Sequence, residues 1–152
     1  MENMLEGKFD WFTQKELENG QTIPFDLYPN IIPTAMVLDI LRTKIEESIY
    51  INSTYRDPEY NASVGGAKSS IHLLFNAIDF SIKRDSPAQK MKAISSIYGK
   101  LRDFDAKGYL YPGFGFKKSI MGLGLYLRGS GSFIHLDCRG LLGKKAPSRW
   151  LG

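Results

Sequence analysis

The sequence predicts an α+β domain in which a small, mainly antiparallel sheet packs with at least two helices. Two stretches carry the strand period: Ala77, Asp79 and Ser81 alternate with Ile78, Phe80 and Ile82, and Phe133, His135, Asp137 and Arg139 alternate with Ile134, Leu136 and Cys138. Residues 122–127 read as a further strand, joined to 133–139 by RGSGS, whose glycines and serines suit a hairpin loop. Apolar side chains recur at helical spacing in residues 34–48 and 87–104. Each of the two chemistry-bearing strands is expected to bury one face and present its polar residues on the other.

Taken in order, residues 1–11 lack periodicity and should wrap the domain. Thr13 and Glu16 then form a capping box for a short helix, 14–18, ended by Gly20. Residues 22–33 hold three prolines but also Ile23, Phe25, Leu27, Tyr28, Ile31 and Ile32, so they predict an ordered loop that seeks burial. In the first substantial helix Val37, Leu38, Leu41 and Ile45 face inward, with Asp39, Arg42, Lys44, Glu46 and Glu47 in solvent. Residues 49–55, rich in β-branched and aromatic side chains, predict a strand that delivers Arg56 at its end.

The loop 57–70 contains Pro58, Asn61 and the pair Gly65–Gly66, which suits either a rim admitting a peptide or a plain tight turn; it carries no phosphate-loop pattern. Asp85 and Ser86 before Pro87 open the second long helix, whose stripe Met91, Ile94, Tyr98 and Leu101 reads as core. Residues 108–118, GYLYPGFGFKK, are aromatic, glycine-rich and basic, which suits either structural packing or a loop lining a substrate cleft. The tail, 140–152, has no pattern beyond Trp150, which is expected to pack back on the domain.

The chemistry concentrates around the chain's two histidines. His72 is followed seven residues later by Asp79, and His135 two residues later by Asp137. Imidazole and carboxylate are ordinary zinc ligands, and a catalytic zinc keeps three protein ligands with water in the fourth position, so these segments read as a three-ligand metal site. On one helix His72 and Asp79 would stand about 10.5 Å apart along the axis, too far for one ion, which puts His72 on a loop or strand end and Asp79 on a strand. The helical zinc pattern of two histidines four residues apart is absent.

These segments, STYRDPEYNASVGGAKSSIHLLFNAID, GLGLY and FIHLD, resemble the D-Ala-D-Ala metallopeptidase branch of the LAS zinc peptidases, the group that includes the Hedgehog signalling domain. The likeness runs from FDWFTQKEL to Arg149–Trp150. It implies a Hedgehog-like α+β fold with a single zinc cleft, one Zn²⁺ per chain held by His72, Asp79 and His135. It also implies Arg56 as the cation facing the scissile carbonyl or substrate carboxylate, and Ser70 as a substrate hydrogen-bond donor. Phe75 stands where the family commonly has glycine, which would narrow the cleft or alter the loop carrying His72. Many relatives carry an acidic general base three residues before the last ligand; here that position is Ser132, so Asp137 becomes the candidate base, with orientation of His135 as its other role.

At 152 residues, 43% hydrophobic and 24% charged, the chain predicts one domain, 1–152, with its own core. A net charge of +4 suits an anionic partner such as cell-wall polymer, while nucleic-acid binding through residues 108–118 rests on the weakest signal. The single cysteine, Cys138, excludes an internal disulfide and alternates away from the metal residues, so it reads as a small buried hydrophobe. No stretch approaches eighteen apolar residues, and the N-terminus has no basic start before an apolar run, so neither a membrane span nor an export signal is expected. The resulting expectation is a zinc peptidase cutting peptidoglycan stem or cross-link peptides as carboxypeptidase or endopeptidase, a phage-type lytic protein that reaches the wall after lysis or on a particle. The alternative is an inactive zinc-containing binding module of the same fold.

Overall fold

Thr13 opens the chain's first regular element as its side chain predicts. Its hydroxyl accepts the Glu16 amide at 3.1 Å and Glu16 reaches back to the Thr13 amide, capping α1 (Gln14–Glu18). The computed structural model describes residues 3–110 and 117–152. The proline-rich segment coils into a 3₁₀ turn, Phe25–Ile31, that buries Tyr28 and Ile31 and runs into α2 (Ile32–Ile45). This helix starts two residues before the predicted position because Pro33 falls in its first turn, where a missing amide hydrogen costs nothing.

After β1 (Tyr50–Ser53), the segment expected as a loop contains a six-residue helix, α3 (Pro58–Ser63). The Asp57 carboxylate caps it by accepting the Tyr60 amide at 2.7 Å, with Pro58 in the first turn; six residues are too few for an apolar period to reveal the helix. A second 3₁₀ turn, Ile71–Leu74, leads into β2 (Ala77–Ser81). Ser86 then caps α4 (Pro87–Ala106), which buries Ile94, Ile97, Tyr98 and Leu101. A short ribbon, β3 (Tyr109–Leu110) with β4 (Lys117–Lys118), follows; the middle of the loop expected at the cleft, 111–116, lies outside the described residues.

The last strands are β5 (Gly122–Tyr126), β6 (Phe133–Asp137) and β7 (Ser148–Leu151). They complete a five-stranded sheet of order β1-β2-β6-β5-β7, antiparallel except where β7 runs parallel to β5. The sheet is therefore mixed. The patternless tail supplies its edge, because a four-residue parallel partner to a distant strand leaves no local periodicity to read. The core lies between the helices and one sheet face, around Leu38, Ile78, Phe80, Ile94, Leu123, Ile134 and Leu136. The other face is covered as well. All five residues of β2 are buried, so the face that carries its polar residues is shielded as well, and on the neighbouring β6 the Trp150 side chain packs on His135.

Candidate metal centre

Strand register assembles the centre. Asp79 pairs with His135, His135 with Gly124, and Gly124 with Trp150, so four strands contribute one residue each to a single row across the sheet. Two-residue alternation puts the polar members of β2 and β6 on the same face, and the antiparallel pairing brings them side by side. His72 arrives from the 3₁₀ turn, whose capping residue, Ser70, accepts the His72 amide on its hydroxyl at 3.3 Å. The backbone on either side is pinned: the Arg56 amide donates to the His72 carbonyl at 3.1 Å, and buried Asn76 takes the Cys138 amide while donating to the Asn30 carbonyl.

His72, Asp79 and His135 are all buried, and one ligand-type atom from each lies within 4.8 Å of the others. Asp79 Oδ1 is the shared vertex, 3.2 Å from His72 Nε2 and 2.9 Å from His135 Nδ1. The ring orientations are set from behind. His72 Nδ1 lies 2.6 Å from the Thr54 carbonyl, a contact only a protonated nitrogen makes favourably, so Nε2 is the bare lone pair and has no hydrogen-bond partner although buried. Two electron-rich atoms facing each other at 3.2 Å in a buried site call for a cation between them. At His135 it is Nε2 that donates backward, to Asp137 Oδ2 at 2.7 Å, leaving Nδ1 toward the centre. Zinc bonds of about 2.0–2.1 Å would separate tetrahedral ligand atoms by about 3.3 Å, and a His–Asp–His donor set suits that ion. The residues fit the metal.

Electrostatics point the same way. Burial alone would drive the Asp79 carboxyl up, but His135 beside it, joined by His72 whenever its Nε2 carries a proton, holds it well below the usual carboxylate range. Burial also favours neutral His135, yet its hydrogen bonds to Asp137 and Asp79 prevail and its pKa is raised to about 9. Without metal, a proton on Nδ1 takes the place of a cation among the carboxylates.

Asp137 stands behind the centre and is fully buried. Its Oδ1 accepts the Gly122 and Arg139 amides and Arg139 Nε, and its Oδ2 takes Arg139 and His135. Arg56 lies in front, its guanidinium 3.6 Å from Asp79 Oδ2. Ser70 lines the same cleft of about 520 Å³, together with Arg128, Phe133, Arg139 and Trp150.

Phe75 does not narrow the cleft. It is fully buried between Tyr28 and Tyr55, with ring centroids 5.8 and 6.4 Å away, and it ends the His72 turn at φ +53°, a left-handed conformation that explains why glycine suits this position. Ser132 is likewise not a cleft residue: its buried hydroxyl accepts the Arg128 amide at 2.9 Å and donates to the Gly129 carbonyl at 2.7 Å, closing the β5–β6 loop. Cys138 is buried in the core, as its alternation predicts.

Sequence reasoning missed what encloses His135. Trp150 packs on its ring and donates its indole proton to the Tyr126 hydroxyl at 2.8 Å, while Arg139 covers the indole, its Cζ 5.0 Å from the ring centroid. The signal was Gly124: a Cβ there would clash with the indole, so the second glycine of GLGLY marks where the last strand's tryptophan lies against the sheet.

No curated protein matches the chain. The sequence model of the Peptidase M15 family matches residues 11–109, a span that takes in Arg56, Ser70, His72 and Asp79 and stops before His135, which the sheet register joins to them. M15 peptidases are zinc-dependent, in keeping with the His–Asp–His group. The chain belongs to the peptidase M15 family.

Proposed function

We propose that this chain, acting as one catalytic unit over residues 1–152, is a zinc peptidase that hydrolyses peptidoglycan stem or cross-link peptides. The observation that carries the reading is the unpartnered, buried Nε2 of His72 opposite Asp79 Oδ1, at the floor of an arginine-lined cleft. A zinc ion bound by His72, Asp79 and His135 would supply Lewis acidity and lower the pKa of a water toward ~7.

The chain's own residues do the rest. Arg56, half-buried beside Asp79, presents a fixed cation to the oxygen on which negative charge develops. The Ser70 hydroxyl accepts the His72 amide and keeps its own proton to donate to a substrate carbonyl. Asp137 accepts the Nε2 proton of His135 and so turns Nδ1 toward the centre; with both oxygens occupied and no exposure it serves orientation better than proton transfer from substrate. The excess of arginine over carboxylate in the cleft, and the net charge of +4, suit the anionic wall and the phage-type lytic role within the same proposal.

One observation favours a second reading, a binding module of this fold. Among the described residues Asp79 is the one carboxylate lining the cleft, and Ser132 occupies the position of the usual base. Incubation of the zinc-loaded protein with purified sacculi from several bacterial types separates the two. New peptide termini identified by mass spectrometry support the peptidase, and full zinc with intact sacculi supports the binding module.

A further inference from the structure

Arg128 has no role in the centre described above, yet it lines the same cleft. Its Cζ lies 5.0 Å from the Tyr126 ring centroid and 5.8 Å from that of Phe133, and these two rings stack on each other at 4.4 Å with planes 6° apart. The rings are a cross-strand pair in register, and by alternation they share the face of the neighbouring pair Gly124 and His135. The backbone that carries Arg128 is fixed by Ser132, which takes its amide and ties off Gly129.

The cation is thus preoriented, and its electrostatic demand is unmet. Arg139 is paired with Asp137 and Arg56 faces Asp79, but among the described residues no carboxylate meets the Arg128 guanidinium. A stacked guanidinium retains its hydrogen-bonding edge, which matches a carboxylate with two parallel bonds.

We infer that Arg128 is a specificity residue that binds a substrate carboxylate about two residues from the scissile bond. The spacing comes from the ring pair that carries the guanidinium: Tyr126 and Phe133 stand one same-face step along their strands from Gly124 and His135, about 6.6–6.8 Å, and an extended peptide advances by the same amount in two residues. The inference rests on the peptidase reading, and it names an acidic peptide as the substrate class, with Arg56 at the reacting centre and Arg128 one step along the cleft.

The test is a set of synthetic stem peptides in which each carboxyl group in turn is converted to its amide, assayed with wild type, Arg128→Gln and Arg128→Lys. One amide should lower kcat/KM by tenfold or more, mainly through KM, in wild type. The same amide should make little difference in Arg128→Gln, and Arg128→Lys should recover part of the discrimination. Zinc content should be equal in all three proteins. The inference is overturned if no carboxyl couples to Arg128, or if the coupled carboxyl adjoins the cleaved bond. Should no peptide be cut, the peptidase reading fails, and the same acid and amide pairs measured by calorimetric binding judge Arg128 on its own: a wild-type preference for one acid that Arg128→Gln loses supports it, and equal binding rejects it.

Discussion

The indole of Trp150 lies against the imidazole of His135, ring centroids 5.1 Å apart, although the two residues belong to strands that are not neighbours in the sheet. Gly124 on the intervening strand makes the contact possible, because it leaves the space the indole fills. A residue two from the C-terminus thereby holds the last metal-ligating candidate in position.

Trp150→Ala should weaken zinc affinity by about tenfold, as loss of an outer support does. The half-buried indole should also cost less stability than the roughly 3–5 kcal/mol of a fully buried tryptophan. Gly124→Ala should cost about 1–3 kcal/mol by overpacking and lower zinc affinity by displacing the same ring. Chelator competition and thermal melts of the single and double variants check this. Because both changes act on one contact, their effects should not add.

Zinc should bind at about one ion per chain, and His72→Ala, Asp79→Ala and His135→Ala should each lower occupancy sharply. With free zinc at 1,000 times Kd, the wild-type protein gains about 4 kcal/mol of stability, and stripping the metal should reverse it. Elemental analysis and melting curves with and without chelator give the answer; a melting point that zinc leaves unchanged contradicts the site.

The raised pKa of His135, about 9, has a consequence for pH. Zinc must replace the Nδ1 proton, so below pH 9 apparent affinity should rise about tenfold per pH unit and flatten above it, one proton being released per ion bound. In the metal-free protein the linkage has the opposite direction. A folded pKa above the unfolded ~6.5 contributes stability that is full below pH ~6.5 and is lost as pH rises through about 9. Zinc titrations and melts across pH 6–10 measure both.

Asp137→Asn separates two roles for a buried carboxylate. If it orients His135, zinc affinity should fall by roughly 10- to 100-fold, with a small turnover defect once metal is saturating. If it is the base, zinc should stay and turnover should fall by about 10² to 10⁴. The five contacts Asp137 makes favour the first result.

Cys138→Ala should leave zinc content unchanged and cost about 1 kcal/mol or somewhat more, since the side chain lies in the core and not on the metal face. Metal analysis of that variant checks the strand assignment directly.

The sequence by itself determined the elements whose physics is local. Alternation identified β2 and β6, a capping box marked α1, helical spacing marked α2 and α4, and two histidines among strand patterns identified the segments of the centre. Short or non-local features stayed hidden. Six-residue α3 depends on one cap, and β7 exists only because β5 offers a partner edge. The surroundings of Ser132, Phe75, Asp137 and Trp150 were decided by tertiary structure alone. Whether a hydroxyl closes a loop or faces a cleft, and whether a carboxylate meets substrate or is enclosed by an arginine and three other donors, depends on strand register and packing between residues far apart in the chain. Spacing along the chain carries no information about those contacts.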